Sequence, residues 1–325
     1  MPRLRHLIPA LAGAATLASA LGAQGRDRTL WPDTTFFAEG LDVDPRTGTL
    51  YITSLQHGSV LAVDRAGSTQ WFVAPGSLGH IGISGVAVDT ARGLAWLTTA
   101  RHPRDGAATA QADSPPASLH AVRLADGAPV ARWVLGDGSG AAGELAVTTR
   151  GEVLVSDGLR GTLYRLRSPT DSLRLVASAS LRSPQGIAPD ADGRRAWVAD
   201  WSRGLFVWDL ATDSITPVTD ANGRTLRGID GLRRHGTALI AIVNGQRPQQ
   251  VVAIALSPDG RTIQQVRAMD APATYPGEPT VGSILDGVFH YITSSAWPFW
   301  DAAGARRQER GALPAVIVRS VPLDR

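Results

Sequence analysis

The sequence predicts an all-β fold: a six-bladed β-propeller with four-stranded blades around a central channel. Three observations predict it. A strand-turn-strand pattern recurs six times, its interval suits four short strands, and no amphipathic helical period of useful length appears in the 325 residues.

Each copy opens with a polar residue and a glycine, runs through a short apolar strand, turns at Asp or Gly, enters a second apolar strand and leaves through a polar residue. The copies are "AEGLDVDPRTGTLYITS" (38–54), "ISGVAVDTARGLAWLTT" (83–99), "AGELAVTTRGEVLVSDG" (142–158), "PQGIAPDADGRRAWVAD" (184–200), "IDGLRRHGTALIAIVNG" (229–245) and "PTVGSILDGVFHYITSS" (279–295). With residues 40, 85, 144, 186, 231 and 282 as equivalents, the intervals are 45, 59, 42, 45 and 51 residues. Strands average about five or six residues, so each interval holds about four with their turns. The runs "GTLYRLRS" (161–168), "GLFVWDLA" (204–211) and "QVVAIALS" (250–257) follow as third strands. Radial closure accounts for this period, whereas a two-sheet sandwich does not. Closure requires a blade shared by both termini, and "TLWPDTTFF" (29–37) is expected to lie as its outer strand beside "PAVIVRSVPL" (314–323).

Residues 1–23 read as a secretory signal peptide: Arg3 and Arg5, then "LIPALAGAATLASALGA" with Ala18-Ser19-Ala20 as a cleavage signal. A membrane anchor is the alternative, but Pro9, Gly13, Thr16 and Ser19 interrupt the run and it is short for a span. The expected product is one propeller domain over 24–325, periplasmic or secreted, with no membrane span after signal removal.

Composition removes several function classes. All 32 basic residues are arginine, which excludes a Schiff-base lysine and a P-loop. The absence of cysteine excludes disulfides, thiolate metal sites and cysteine nucleophiles. The net charge of +3 falls to +1 without Arg3 and Arg5, and the other arginines are scattered, so nucleic acid is not an expected partner. "VWD" (207–209) occurs once without a WD-type partner signature, and no serine-hydrolase G-x-S-x-G motif is present.

Antiparallel strands alternate direction, so residues just before each first strand share a face with residues leaving each second strand. The innermost strand comes first, so Glu39, Ser84, Gly143, Gln185 and Asp230 are expected to ring the channel. Ser54, His102, Asp157, Asp200, Asn244 and Ser295 join them from the second strands. Glu39, Gln185 and Asp230 all present oxygen, a donor set suited to a hard cation such as Ca²⁺. Capping of backbone amides, or pairing with an arginine such as Arg227, is the competing account of the two carboxylates.

The repeats resemble the gluconolactonase and regucalcin (senescence-marker) group of six-bladed propellers, and more distantly the paraoxonases, over most of residues 36 to 300. "AEGLDVDPRTGTLYITS", "SPQGIAPDADGRRAWVAD" and "GIDGL...IVNG" carry the resemblance. It implies a divalent ion, usually calcium, on Glu39, Gln185 and Asp230. Gln185 departs from the group's asparagine, and a further asparagine expected near "AAGELAV" (141–147) is missing, with Glu144 adjacent but aligned to a glycine. "GHIGIS" (79–84) and "ARHP" (100–103) resemble the paraoxonases' histidine segments, which makes His80 and His102 a candidate general base and its orienting partner. Ordinary loop histidines are the plainer alternative. A low-hydrophobicity stretch at 103–117 is expected as a flexible loop over the channel mouth.

The resemblance implies a Ca²⁺-type hydrolase of lactones or related esters, with catalytic Asp230, His80 and His102 and metal ligands Glu39, Gln185 and Asp230; strand parity adds Asn244, Asp200 and, from "SSAWPFWD" (294–301), Trp297 as pocket residues, with packing between blades the alternative for the aromatic. A non-catalytic propeller that binds a small molecule, glycan or protein through the same face is the alternative.

Overall fold

A computed structural model describes residues 25–79, 82–100, 115–301 and 305–323. The first strand, β1 (Arg26–Trp31), is followed by β2 (Ala38–Val43), β3 (Leu50–Ser54), β4 (Ser59–Val63) and β5 (Thr69–Val73), which form blade one. Blade two holds β6 (Ile83–Asp89), β7 (Leu94–Thr99), β8 (Ser118–Arg123) and β9 (Pro129–Val134). Blade three holds β10 (Ala142–Val147), β11 (Val153–Asp157), β12 (Thr162–Leu166) and β13 (Arg174–Ala177). Blade four holds β14 (Pro184–Pro189), β15 (Arg195–Asp200), β16 (Gly204–Asp209) and β17 (Ile215–Pro217). Blade five holds β18 (Ile229–His235), β19 (Ala238–Val243), β20 (Gln250–Leu256) and β21 (Ile263–Asp270). Blade six holds β22 (Gly282–Leu285), β23 (Val288–Ile292), β24 (Val316–Pro322) and, as its outermost strand, β1. The fold is therefore the six-bladed propeller expected. Among the described residues no helix is long and apolar enough to cross a membrane.

Packing explains which strands the sequence displays. Second and third strands are covered on both faces by neighbouring blades, so β4 is buried at every position, as is β11. Outer strands meet solvent, and β9 has no fully buried residue. Apolar clusters fill the gaps between adjacent blades; Ile52, Leu61 and Ile292 close the gap between blades one and six. Burying each such side chain contributes roughly 1.5–3 kcal/mol.

Closure joins the termini through antiparallel pairing of β1 with β24, Arg26 opposite Ser320 and Trp31 opposite Val316. The strand lies earlier than 29–37 because Pro32 has no N–H to donate, and the Asp33 carboxylate accepts the Thr35 amide at 2.8 Å, which turns the chain. Phe36 and Phe37 beyond that turn are core residues.

In blades one to five the innermost strand carries one extra residue opposite its partner: Ala38 pairs with Ser54, but Leu41 with Ile52. The same slip occurs between Ile83 and Gly85, Ala142 and Leu145, Pro184 and Ile187, and Ile229 and Leu232. These bulges turn Glu39, Ser84, Gln185 and Asp230 out of the regular pleat at the mouth of the channel. The adjacent glycines allow the inner strands to crowd together. A Cβ on Gly40 would lie 2.5 Å from the Ser84 carbonyl oxygen, and one on Gly186 would lie 2.5 Å from that of Asp230. Thr53 bridges the same contact, its hydroxyl accepting the Gly40 amide at 2.7 Å and donating to Ser84 O at 3.0 Å.

Candidate functional site

Glu39 stands at the bulge of β2 with both carboxylate oxygens engaged. Ser295 Oγ donates to Oε2 at 2.7 Å, and Trp297 Nε1 lies 2.9 Å from each oxygen. The indole is fixed by a single 3-10 turn (Trp297–Phe299) and an edge contact with Phe37, ring centroids 5.4 Å apart. Phe37, Leu55, Ala296, Phe299 and Trp300 form a small apolar cluster beneath it. Burial pushes the Glu39 carboxyl up to about 8, opposed by its two donors and reinforced by the charges of Glu278 and Glu144.

Asp230 stands at the bulge of β18. Asn244 Nδ2, just beyond β19, lies 2.6 Å from its Oδ2. The same nitrogen lies 2.9 Å from Glu278 Oε1 and 3.0 Å from the Pro279 carbonyl, while Asn244 Oδ1 accepts Trp201 Nε1 at 2.9 Å. Burial raises the Asp230 carboxyl well above the usual carboxylate range, and repulsion from Glu39, Glu278 and Glu144 raises it further. Burial likewise raises Glu278, against the attraction of Arg247.

Deeper in the channel, Arg233 pairs with Glu144 at 2.9 Å and also donates to the Leu232 carbonyl. Burial raises the Glu144 carboxyl in spite of this partner. The guanidinium is thus spent on Glu144, and Glu39 and Asp230 have no arginine ion pair among the described residues. Arg233 also lines a cavity of about 260 Å³ with Asp42 and Ser283 at the channel's other end.

Gln185 lines a cavity of about 340 Å³ at the mouth together with Glu39, Ser84 and Trp297, between apolar walls from Leu55, Ala142 and Leu159. Its Nε2 donates to Ser183 Oγ at 3.3 Å. Gln185 Oε1 and Asp230 Oδ1 accept no protein hydrogen bond among the described residues. Two uncommitted oxygens beside two carboxylates that lack a counter-cation suit a hard cation in charge and donor type. Among the described residues, however, no three carboxylate or imidazole groups already converge as a cage.

The sequence-predicted residues separate into three groups. Glu39, Gln185 and Trp297 share the cavity, while Asp230 and Asn244 are joined directly and reach Glu278. Asp200 faces its own blade: Oδ2 accepts the amides of Arg182 and Ser183 at 2.6 and 2.8 Å, and Oδ1 those of Ser202 and Arg203 at 3.0 and 2.9 Å. Its carboxylate organises two loops instead of lining the cavity. His80, His102, most of the 103–117 stretch and the signal segment 1–23 lie outside the described residues.

Sequence reasoning missed Glu278. Glu278 pairs with Ser295 in an isolated bridge and precedes the sixth copy, which begins at Pro279, so the repeat does not include it. The "GEP" turn before the sixth copy was the available signal.

The sequence matches no protein-family profile and no characterised protein. Its fold has clear counterparts. Regucalcin, a calcium-binding protein from Agrobacterium tumefaciens, superposes with a TM-score of 0.60 at 14% identity over 93% of this chain and 96% of its own. A gluconolactonase from Xanthomonas campestris gives 0.58 at 16% identity over 92% and 90%. Virginiamycin B lyase from Staphylococcus aureus gives 0.62 at 10% identity over 93% and 100%. At these identities the likeness is one of fold: the chain shares the six-bladed architecture of gluconolactonase- and regucalcin-like propellers.

Proposed function

We propose that the protein is an exported, metal-dependent hydrolase of lactones or related esters. The observation that carries this reading is the Glu39 and Asp230 pair: two carboxylates raised by burial and by neighbouring carboxylate charges, without an arginine partner among the described residues, with Glu39 lining a cavity sized for a small molecule. Glu39, Asp230 and Gln185 would hold a Ca²⁺-type cation. When bound, such an ion supplies polarisation of a substrate carbonyl.

The chain's own groups have separable tasks. Asn244 fixes Asp230 through Oδ2 and leaves Oδ1 to take a proton from an attacking water. Trp297 and Ser295 orient Glu39, and the apolar walls at Leu55, Ala142 and Leu159 limit bulk water around the reacting carbonyl. His80 is the other candidate base, with His102 as its orienting partner.

A binding propeller without turnover is the second reading. Its support is the blade-three position, where Gly143 offers no side-chain ligand and Glu144 is committed to Arg233. The shared fold does not decide between them, since structures of similar fold include a gluconolactonase, a lyase and a calcium-binding protein. The test is hydrolysis of a lactone and aryl-ester panel by the chelator-stripped protein with and without Ca²⁺, beside Asp230→Asn. Calcium-restored turnover that the variant lacks supports the hydrolase. Calcium binding without turnover supports the binding propeller.

A further inference from the structure

Beside the channel mouth, on the same face, Arg182, Arg203 and Arg227 line an open groove of about 520 Å³ together with Ser180 and Ser202. All three arginines are exposed, and none forms an ion pair among the described residues. Several other surface arginines are ion-paired, as Arg46 is with Asp44, Arg195 with Asp190 and Arg224 with Asp220, while single ones unpaired among the described residues, such as Arg167 and Arg267, do not share a groove with two others. Three guanidinium groups around one groove repel one another, and the fold works to keep two of them there. The Asp200 carboxylate anchors the backbone amides of Arg182 and Arg203 with opposite oxygens, so the two loops that bear them cannot drift apart independently. The third loop is tied in as well, since the Gly228 amide donates to the Trp201 carbonyl at 2.8 Å.

We propose that this groove binds a small organic anion bearing a phosphate or sulfate group. Guanidinium forks match the oxygens of such groups two at a time, and the serine side chains supply further donors. Phe206 and Pro217 also line the groove and give it an apolar surface for the organic part. Asp200 is ion-paired with none of the three guanidinium groups, and its oxygens accept four backbone amides instead. The site lies outside the Glu39 and Asp230 cavity, although Arg182 and Arg227 each precede a residue of that region, Gln185 and Asp230, by three positions. Hydrolysis and anion binding are therefore independent claims.

Calorimetric titration of the metal-free protein with inorganic pyrophosphate, and separately with sulfate, tests the site. One saturable event is expected, weakened at least about tenfold in the Arg182→Ser/Arg227→Ser double variant at an unchanged melting temperature. Arg203→Gln should weaken it independently, and Arg224→Ser, which removes an exposed arginine with its own acidic partner, should not. Absence of saturable binding at millimolar anion would overturn the proposal. So would binding that survives in both groove variants, or a long sulfated polysaccharide that binds while the small anions do not.

Discussion

The indole nitrogen of Trp297 stands 2.9 Å from both oxygens of the Glu39 carboxylate, a contact that spans 258 residues of sequence. It exists because blade six closes beside blade one, and it places an uncharged donor on the carboxylate where an arginine would have neutralised it. The energetic consequence is a carboxyl whose ionised form the protein orients but, among the described residues, pairs with no cation.

That deficit has a pH signature. The Glu39 carboxyl titrates near 4.5 in an unfolded chain and about 8 in the fold. Between those values the folded state binds more protons than the unfolded one, so stability falls as pH rises and levels off above about 8. Asp230, also raised, adds to the same trend. The melting temperature of chelator-stripped protein should decline from pH 5 to pH 8, and added Ca²⁺ should restore more of it at pH 8 than at pH 5.

Asp230→Asn separates stability from function. The amide oxygen can still accept from Asn244, while the repulsion from Glu39, Glu278 and Glu144 disappears. Thermal melts without metal should show a variant at least as stable as the parent, with each kcal/mol gained worth about 2–4 °C in a domain of 150–250 residues and somewhat less here. Calcium should no longer stabilise it.

The channel ion pair behaves in the opposite way. Arg233→Ala leaves Glu144 buried without its cation, at a cost of about 3–5 kcal/mol in urea unfolding. Replacing both partners, Glu144→Gln with Arg233→Met, should recover much of that loss, because the penalty comes from the unpaired charge.

Removal of residues before 38 should destabilise the whole propeller. It deletes β1, exposes the edge of β24 and strips Leu30, Phe36 and Phe37 from the core. Each lost side chain is worth roughly 1.5–3 kcal/mol. Cooperative unfolding at a clearly lower temperature, or aggregation through the open edge, is the expected result.

The blades were legible because the inner strands are covered on both faces, and that coverage writes the same apolar runs into every copy. The outer strands β5, β9, β13, β17 and β21 were not, since solvent relaxes their pattern and β17 is only three residues long. Strand parity placed Glu39, Gln185 and Trp297 around one cavity. It could not show that bulges aim Glu39 and Gln185, nor that Asn244 reaches Asp230 while Asp200, leaving the second strand of blade four, accepts backbone amides. Those choices depend on which donors lie within 3 Å, a property of packing that no repeat encodes. The Glu144 and Arg233 pair, 89 residues apart, is of the same kind.

The proposed function requires that a cation complete the site at Glu39 and Asp230. Calorimetric titration of the stripped protein with Ca²⁺ at pH 8, in buffers of different ionisation enthalpy, tests it most directly. One binding event is expected, which releases protons, strengthens with rising pH and is lost in Asp230→Asn. No binding, or binding that the variant retains, would contradict it.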